Sequence, residues 1–577
     1  MSKSFNLGKI KGSDGKSAYD SAKEGGFTGT EEEFNKLFMK IYSFDIYPIL
    51  ENEVGVTNLK YEYGDARRYG AVGDGTTDDT TSLKNAISST IAIGKNRIFV
   101  PEGNYRIGSK INISNSSHFE MYGAGQGKTI FKAIDGLTSG SDMFTFSKCT
   151  FTKFHDFTVD GNSTVNTDGT DQDGIHLFDL WNCENAEIYN VNFENNIYTG
   201  CRIANSKNIT VHDCMCNNTD VAILTFGDTA ENIKILSCQV NGHSKSEGIS
   251  IYNKVKIKDI VIRDCIIENK ESAMGICIGY QGDNTNIDAE NIVIENCKIT
   301  NVAVGISVDN PSGTSKNIII SKNVISTTTE STGGNAINIK NTINSKIVEN
   351  IIEEAYLKGI NAANSDNISI IDNTILNYDA KASDSSNCAI TLSDSNDCIV
   401  QNNIIQQNLT DSNNGILVLN GTSKRNIFKD NKVLPSSTNT KSALINVSTN
   451  SAVEDNVISY DYDGILIGVS GLDYSKNKFV VNNYKYKLTN SFVFYNKPYL
   501  NDIVITINKD GITLNPNMTA SYDGDLKRIK IVASNSFTLS NTTLLLWKEE
   551  KLFESGTYII DLEFIDGKWI EMNNIKL

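Results

Sequence analysis

Proline is scarce in this chain: six residues of 577, alongside three Trp and five His. Turns are therefore left to Gly, Asn, Ser and Asp, and Asn is plentiful. Positive charge is also short. A net charge of −16 argues against nucleic acid or an anionic membrane as the main partner, and leaves a neutral or acidic glycan open. No Cys pair has metal-ligand spacing, and neither do His155, His176, His212 and His243. The eleven Cys are an odd number and fall on a repeat, so they are expected to be free thiols folded in a reducing cytosol. No secretory leader or membrane-spanning run is visible.

What is present is periodic. From Phe157 to Phe479 a two-part motif returns about every 25 residues. Its first part is Asn or Asp, an aliphatic, four residues, then Cys or Asn, as in Asn208-Ile209 to Cys214 and Asn232-Ile233 to Cys238. Its second part is a small residue and two alternate aliphatics, as in Gly248-Ile249-Ser250-Ile251 and Gly305-Ile306-Ser307-Val308. Each part is a short strand by its alternation. Such a unit cannot bury its apolar face alone but can in a stack, which implies a parallel β-helix. Stacking turns Cys214, Cys238, Cys265 and Cys297, followed by Asn323 onward, into one ladder. The fold class is mainly β: a right-handed, single-stranded parallel β-helix with a small helical module before it and a β domain after it.

Residues 1–45 read as a separate helical module. Ser17 to Glu24 forms one short helix, and Thr30 with Glu33 makes a capping box for a second. The run Gly15 to Tyr19 and Gly26 to Phe34 resembles a short module of phage tail fibres and other virion surface proteins, with Phe34 in a place usually held by Trp. That resemblance implies virion attachment or oligomerisation. Residues 46–113 are expected to be a linker and N-terminal cap. Tyr69-Gly70-Ala71-Val72-Gly73-Asp74-Gly75, the helical stretch Ser82 to Ala92, and Val100-Pro101-Glu102-Gly103-Asn104-Tyr105 resemble the entrance to the pectate-lyase-like β-helix family. Asp78 or Asp79 is expected to cap the helix. The β-helix is assigned to residues 114–482. Residues 483–577 are read as a small antiparallel β domain for trimerisation or glycan binding.

Candidate chemistry follows from aligning the residue before each second strand. Successive turns give Asp173, Thr199, Asp220 and Glu247, then Met274 and Val304, so carboxylates gather in the early turns. The outward positions are read as His176, Arg202, Ile223 and Ser250. Glycoside hydrolysis commonly needs two carboxyl groups. Asp173, Asp220 and Glu247 are thus the expected catalytic residues, with Asp173 preferred as partner to either of the others. Asp168, Asp171, His176, Tyr198, Arg202 and His243 are the expected substrate contacts. The runs Asn166 to Asp171, Asn218 to Ile223, and Gly242-His243 are similar to motifs of the polygalacturonase family. They depart from it in Thr219, in a spacing one turn too long, and in the missing Arg-Ile-Lys.

The sequence reading is a phage or prophage tailspike, made in the bacterial cytoplasm and carried on the virion. It binds and hydrolyses a bacterial surface polysaccharide as a homotrimer, without a cofactor, and docks on tail or baseplate proteins through its N-terminal module. Neither nucleic acid nor membrane insertion is expected. Two alternatives accompany it: a non-catalytic receptor-binding protein of the same fold, and a polysaccharide lyase, which would use an Arg or Lys base and often Ca²⁺.

Overall fold

A computed structural model describes residues 17–42, 47–137, 142–164, 166, 175–242, 246–279, 288–310, 313–327, 334–379, 387–409 and 415–434, and from residue 443 on the backbone of strands alone. Among the described residues, 34 strands from Asp74–Asp78 to Lys478–Asn482 pair in parallel, turn upon turn. This is the parallel β-helix that the repeat implies. Parallel pairing begins with Asp74–Asp78 against Gly103–Ile107, inside the segment assigned to the cap.

The inward residues stack in columns. One runs Phe144, Phe178, Cys201, Ile223, Ile249, Ile276, Ile306 and Ile337 through registered pairs. All are fully buried. Ile223 therefore faces the core, and the outward column beside it is Asp179, Arg202, Leu224 and Ser250. This corrects the outward reading of Ile223, and that of His176, which lies two residues from the inward Phe178, pairs with Thr199 rather than Arg202, and is buried. The pairing shifts by one residue between Asn196 and Thr199, so counting residues across that corner misplaces the face.

The small residue of the motif has a steric cause. A Cβ added at Gly248, Gly275 or Gly359 would lie 2.6–2.8 Å from a carbonyl oxygen of the next turn. The leading Asn has a conformational one. Asn185, Asn208, Asn232, Asn291 and Asn317 hold φ between 51° and 58°, a region Asn tolerates better than most residues. These corner amides also bond up the stack, Asn232 to Asn208 at 2.9 Å and Asn208 to Asn185 at 3.0 Å.

The internal ladder is as expected. The Nδ2 of Asn323, Asn350 and Asn373 each donates to the Oδ1 of the next Asn at 2.9 Å, and Asn403 donates to Asn431 at 2.8 Å. The same oxygens accept backbone N–H groups, such as Asn350 N to Asn373 Oδ1 at 3.0 Å. All five Asn are fully buried. In the earlier turns Cys214, Cys238, Cys265 and Cys297 fill this place as buried free thiols donating to carbonyls. Asn456 and Asn477 lie outside the described residues. A Cys fits the volume but bonds weakly. Asn373→Cys should therefore cost about 1–3 kcal/mol or more, since it strands the Asn350 N–H and Nδ2 donors, read as a lower urea midpoint with an unchanged slope.

The ends differ from the body. Helix Ala18–Glu24 is capped by Ser17 and Asp20 in a reciprocal box. Before helix Glu31–Tyr42, Thr30 N donates to Glu33 Oε2 at 2.8 Å and Glu33 N to Thr30 Oγ1 at 3.2 Å. Phe34 packs against Phe27 and Tyr19, ring centroids 5.6 and 5.7 Å away. At helix Thr80–Ala92 it is Asp78 that accepts from Thr80 N at 3.0 Å, while Asp79 turns back to the Val72 N–H at 2.7 Å. The C-terminal strands form a mixed sheet rather than an antiparallel one. Tyr484–Leu488, Asp502–Ile507 and Leu526–Ala533 still pair in parallel. Only then do Gly556–Ile565 and Lys568–Lys576 add antiparallel strands.

Candidate functional site

Two polar clusters flank the loop that begins at Asn162. The first lies on strands Lys153–Asp160 and Glu184–Ala204. Val159 and Phe193 point into the core, fully buried, so alternation turns Asp160 and Glu194 outward. The two are paired in register on adjacent turns, with Lys132 on the turn before. Their backbones are thus about 4.8 Å apart. Lys132 Nζ is 2.9 Å from Asp160 Oδ2, and the Asn162 N–H donates to Asp160 Oδ1 at 2.8 Å. Glu194 Oε2 accepts from Asn192 Nδ2 at 2.6 Å. Burial pushes the Glu194 carboxyl up, and the neighbouring Asp160 charge adds to it. Glu194 is biased to hold a proton, while Asp160 faces a cation.

The second cluster lies one corner further on, along strand His176–Trp181 and the end of Glu184–Ala204. Arg202 grips Asp179 with two hydrogen bonds, Nε to Oδ1 at 2.9 Å and Nη2 to Oδ2 at 2.8 Å. Its guanidinium also lies 5.6 Å from the Trp181 ring. Burial leaves Asp179 above the usual carboxylate range despite that ion pair. His176 is 2% exposed, and its ring lies 4.9 Å from that of Tyr198. Burial, helped by the Arg202 charge, pushes its imidazole down to about 3. His176 is therefore neutral at ordinary pH. Lys110 pairs with the buried Asp142 at 2.9 Å on the turn before.

Asn166 is itself held firmly between the clusters. Its amide accepts from the Gly136 and Leu137 N–H groups and donates to the Ile134 and Gly161 carbonyls, at 2.8–3.2 Å. Asp168, Asp171 and Asp173 beyond it lie outside the described residues, as does His243. Asp220 is 9% exposed and accepts from Ser246 Oγ at 3.0 Å. Because Ile223 pairs with Ile249, the neighbour of Asp220 is Ser246, and Glu247 is offset by one residue. Among the described residues no three His, Cys, Asp or Glu side chains gather closely enough to hold a metal ion.

The structure thus brings His176, Tyr198 and Arg202 together as expected, and puts Asp220 and Glu247 on the turns above. Sequence reasoning passed over Lys132, Asp142, Asp160, Asp179 and Glu194. A signal existed for two of them. Asp160 and Glu194 follow Phe157-Thr158-Val159 and Val191-Asn192-Phe193 at the same offset in consecutive repeats.

Residues 64–276 match the family described as rhamnogalacturonase A/epimerase, pectate lyase-like, and residues 287–441 match the right handed beta helix region. The chain therefore carries a pectate-lyase-like right-handed β-helix, and the first match holds both clusters. Alginate lyase 7 of Azotobacter vinelandii is 33% identical over 135 residues, 22% of this chain and 15% of that protein. Plasmin and fibronectin-binding protein A of Streptococcus pneumoniae is 28% identical over 178 residues, 26% of this chain and 24% of that protein. The matches span less than a quarter of either relative's length. Among solved structures, the N-terminal fragment of bacteriophage phi29 gene product 12 aligns at 14% identity and a TM-score of 0.45, over 94% of this chain and 99% of that one.

Proposed function

We propose that the chain binds and cleaves a bacterial surface polysaccharide by glycoside hydrolysis on the flank of the β-helix. The reading is carried by the registered pair Asp160 and Glu194. Glu194, raised by burial, is the general acid that protonates the leaving oxygen. Asp160, beside Lys132, is its partner. Facing side chains on backbones about 4.8 Å apart can bring their carboxyls to the roughly 5–5.5 Å of retaining enzymes. Asp160 is therefore assigned as nucleophile, with net retention at the anomeric carbon. Trp181 and Tyr198 offer ring faces to sugars. Asp173, Asp220 and Glu247 are kept as a second catalytic carboxylate set, with Asp168, Asp171 and His243 as expected substrate contacts.

The resemblance of the N-terminal module supports a tailspike on a virion, docked by that module. The long flanks of the solenoid suit a homotrimer, with three β-helices side by side. Light scattering at micromolar concentration is expected to give three times the chain mass; a monomer would refute the trimer.

Lyase chemistry is the second reading. Arg202, Tyr198 and His176 form a compact cluster, and one relative is an alginate lyase. The distinguishing assay incubates the protein with purified host glycans. Hydrolysis releases reducing ends without new ultraviolet absorbance. A rise in absorbance from unsaturated ends would instead assign the reaction to the Tyr198–Arg202 cluster. Binding with neither product would leave a receptor-binding protein.

A further inference from the structure

The walls of the N-terminal cap form a cleft of about 500 Å³. Its lining includes Tyr61, Tyr63, Arg67, Lys95, Arg97 and Tyr122. Cations lie over its rings: Arg67 is 4.2 Å from the Tyr61 centroid, Arg97 is 4.5 Å from Tyr122, and Lys95 is 6.0 Å from Tyr63. Among the described residues, Lys60, Arg67, Lys95 and Arg97 face only Glu62 and Asp65 across this lining, in a chain whose net charge is −16. Arg67 is held by Asp65 at 2.7 Å and Arg97 by Glu120 at 2.9 Å, yet their side chains remain 40% and 57% exposed. Lys95 makes no ion pair among the described residues.

The cleft is built rather than incidental. Beneath it Arg68, with a fully buried side chain, donates to the carbonyls of Tyr47, Tyr61 and Pro48 at 2.9–3.1 Å and to both oxygens of Glu53. The backbone that carries the ring-bearing wall is thereby fixed before any ligand arrives. A cleft of this size suits a saccharide of one or two rings. Tyr63 already carries Arg68 and Lys95, and Tyr122 is stacked on His155 beneath Arg97, so Tyr61 is the ring assigned to the apolar C–H face of a pyranose, while the exposed cations select a negatively charged one. Along the chain the cleft is one corner, at Asp156, from the proposed flank. Tyr122 in its wall pairs with His155 on strand Lys153–Asp160, so Asp160 lies one turn up and five residues along, roughly 17 Å of chain at most.

We propose that this cleft is an anchoring subsite for an anionic sugar, of the uronate type, on the same polymer that the Asp160–Glu194 flank handles. The inference rests on the glycan reading above. Its test needs no turnover, so it is independent of whether that pair cleaves. Tetragalacturonate and tetramannuronate are titrated calorimetrically into the full chain, with cellotetraose as the neutral control, at low and high salt. The expected result is binding of at least one uronate, absent for cellotetraose and weakened by salt. Glu194→Gln should bind alike. Lys95→Gln with Arg97→Gln should weaken binding roughly tenfold or more, with the melting temperature unchanged. Tyr61→Ala should weaken it as well. No uronate binding, equal binding of cellotetraose, or uronate binding indifferent to the Lys95 and Arg97 changes would each overturn the proposal.

Discussion

Glu194→Gln is expected to reduce polysaccharide cleavage by about 10²–10⁴-fold. The amide keeps the shape of the acid, and it keeps the contact to Asn192, now donated or accepted by a neutral group. What it loses is the proton that Glu194 is biased to hold by its burial and by Asp160. Asp160→Asn should be at least as damaging, because a carboxamide is a poor nucleophile, and it also strands Lys132, which is 2.9 Å away. Lys132 is 30% exposed and can turn to water, so the cost to stability is small. The melting temperature should barely move in either variant, while initial rates of reducing-end release collapse. Asp220→Asn and Glu247→Gln are the matched comparison. If these stop the reaction and Glu194→Gln does not, the second carboxylate set is the catalytic one.

Arg68→Ala is expected to be the most destabilising single change, about 3–5 kcal/mol, because it leaves a buried carboxylate without its cation. Glu53 has a fully buried side chain, with Arg68 Nε 2.6 Å away and the Tyr69 hydroxyl 2.8 Å away. Three backbone carbonyls lose their donor as well. Burial alone would push the Glu53 carboxyl up, but Arg68, the Leu50 N–H and Tyr69 outweigh it and hold it below its usual value. Such a group stabilises the fold fully above its unfolded value, about pH 4.3. That contribution fades as the pH falls through the lower folded value. In Arg68→Ala the sign reverses, since protonation then relieves an unpaired charge. Melting curves from neutral to acid pH should show the wild type losing stability at the acid end and the variant losing less. A variant that melts with the wild type would mean that the cap does not rely on this pair.

The architecture was legible because it is written in repetition. The small residue at Gly248, Gly275 and Gly359 reports a carbonyl of the next turn, and the Asn column reports both left-handed corners and an amide ladder. Each is a local requirement repeated many times, so it survives counting errors. The site was legible only in part. His176 pairs with Thr199 on the next turn, so its proximity to Tyr198 and Arg202 followed from stacking two adjacent turns. Aligning carboxylates between turns failed where a corner absorbs one extra residue, as between Asn196 and Thr199. Asp160 and Glu194 were passed over because attention rested on the second strand of each repeat, while they end the first. The cap cleft carries no periodic signal at all. Its rings come from Tyr61, Tyr63 and Tyr122, and the first two reach the solenoid through the bridge of Asp65 to Phe99 and the buried Arg68–Glu53 pair.

The most direct measurement is a crystal structure of Glu194→Gln soaked with an oligosaccharide of the polymer that the wild type cleaves. The account predicts a glycosidic oxygen within hydrogen-bond reach of the side chain at position 194, about 2.6–3.2 Å, with the anomeric carbon facing Asp160. An oligosaccharide ordered on another face of the β-helix, with no sugar at position 194, would contradict it.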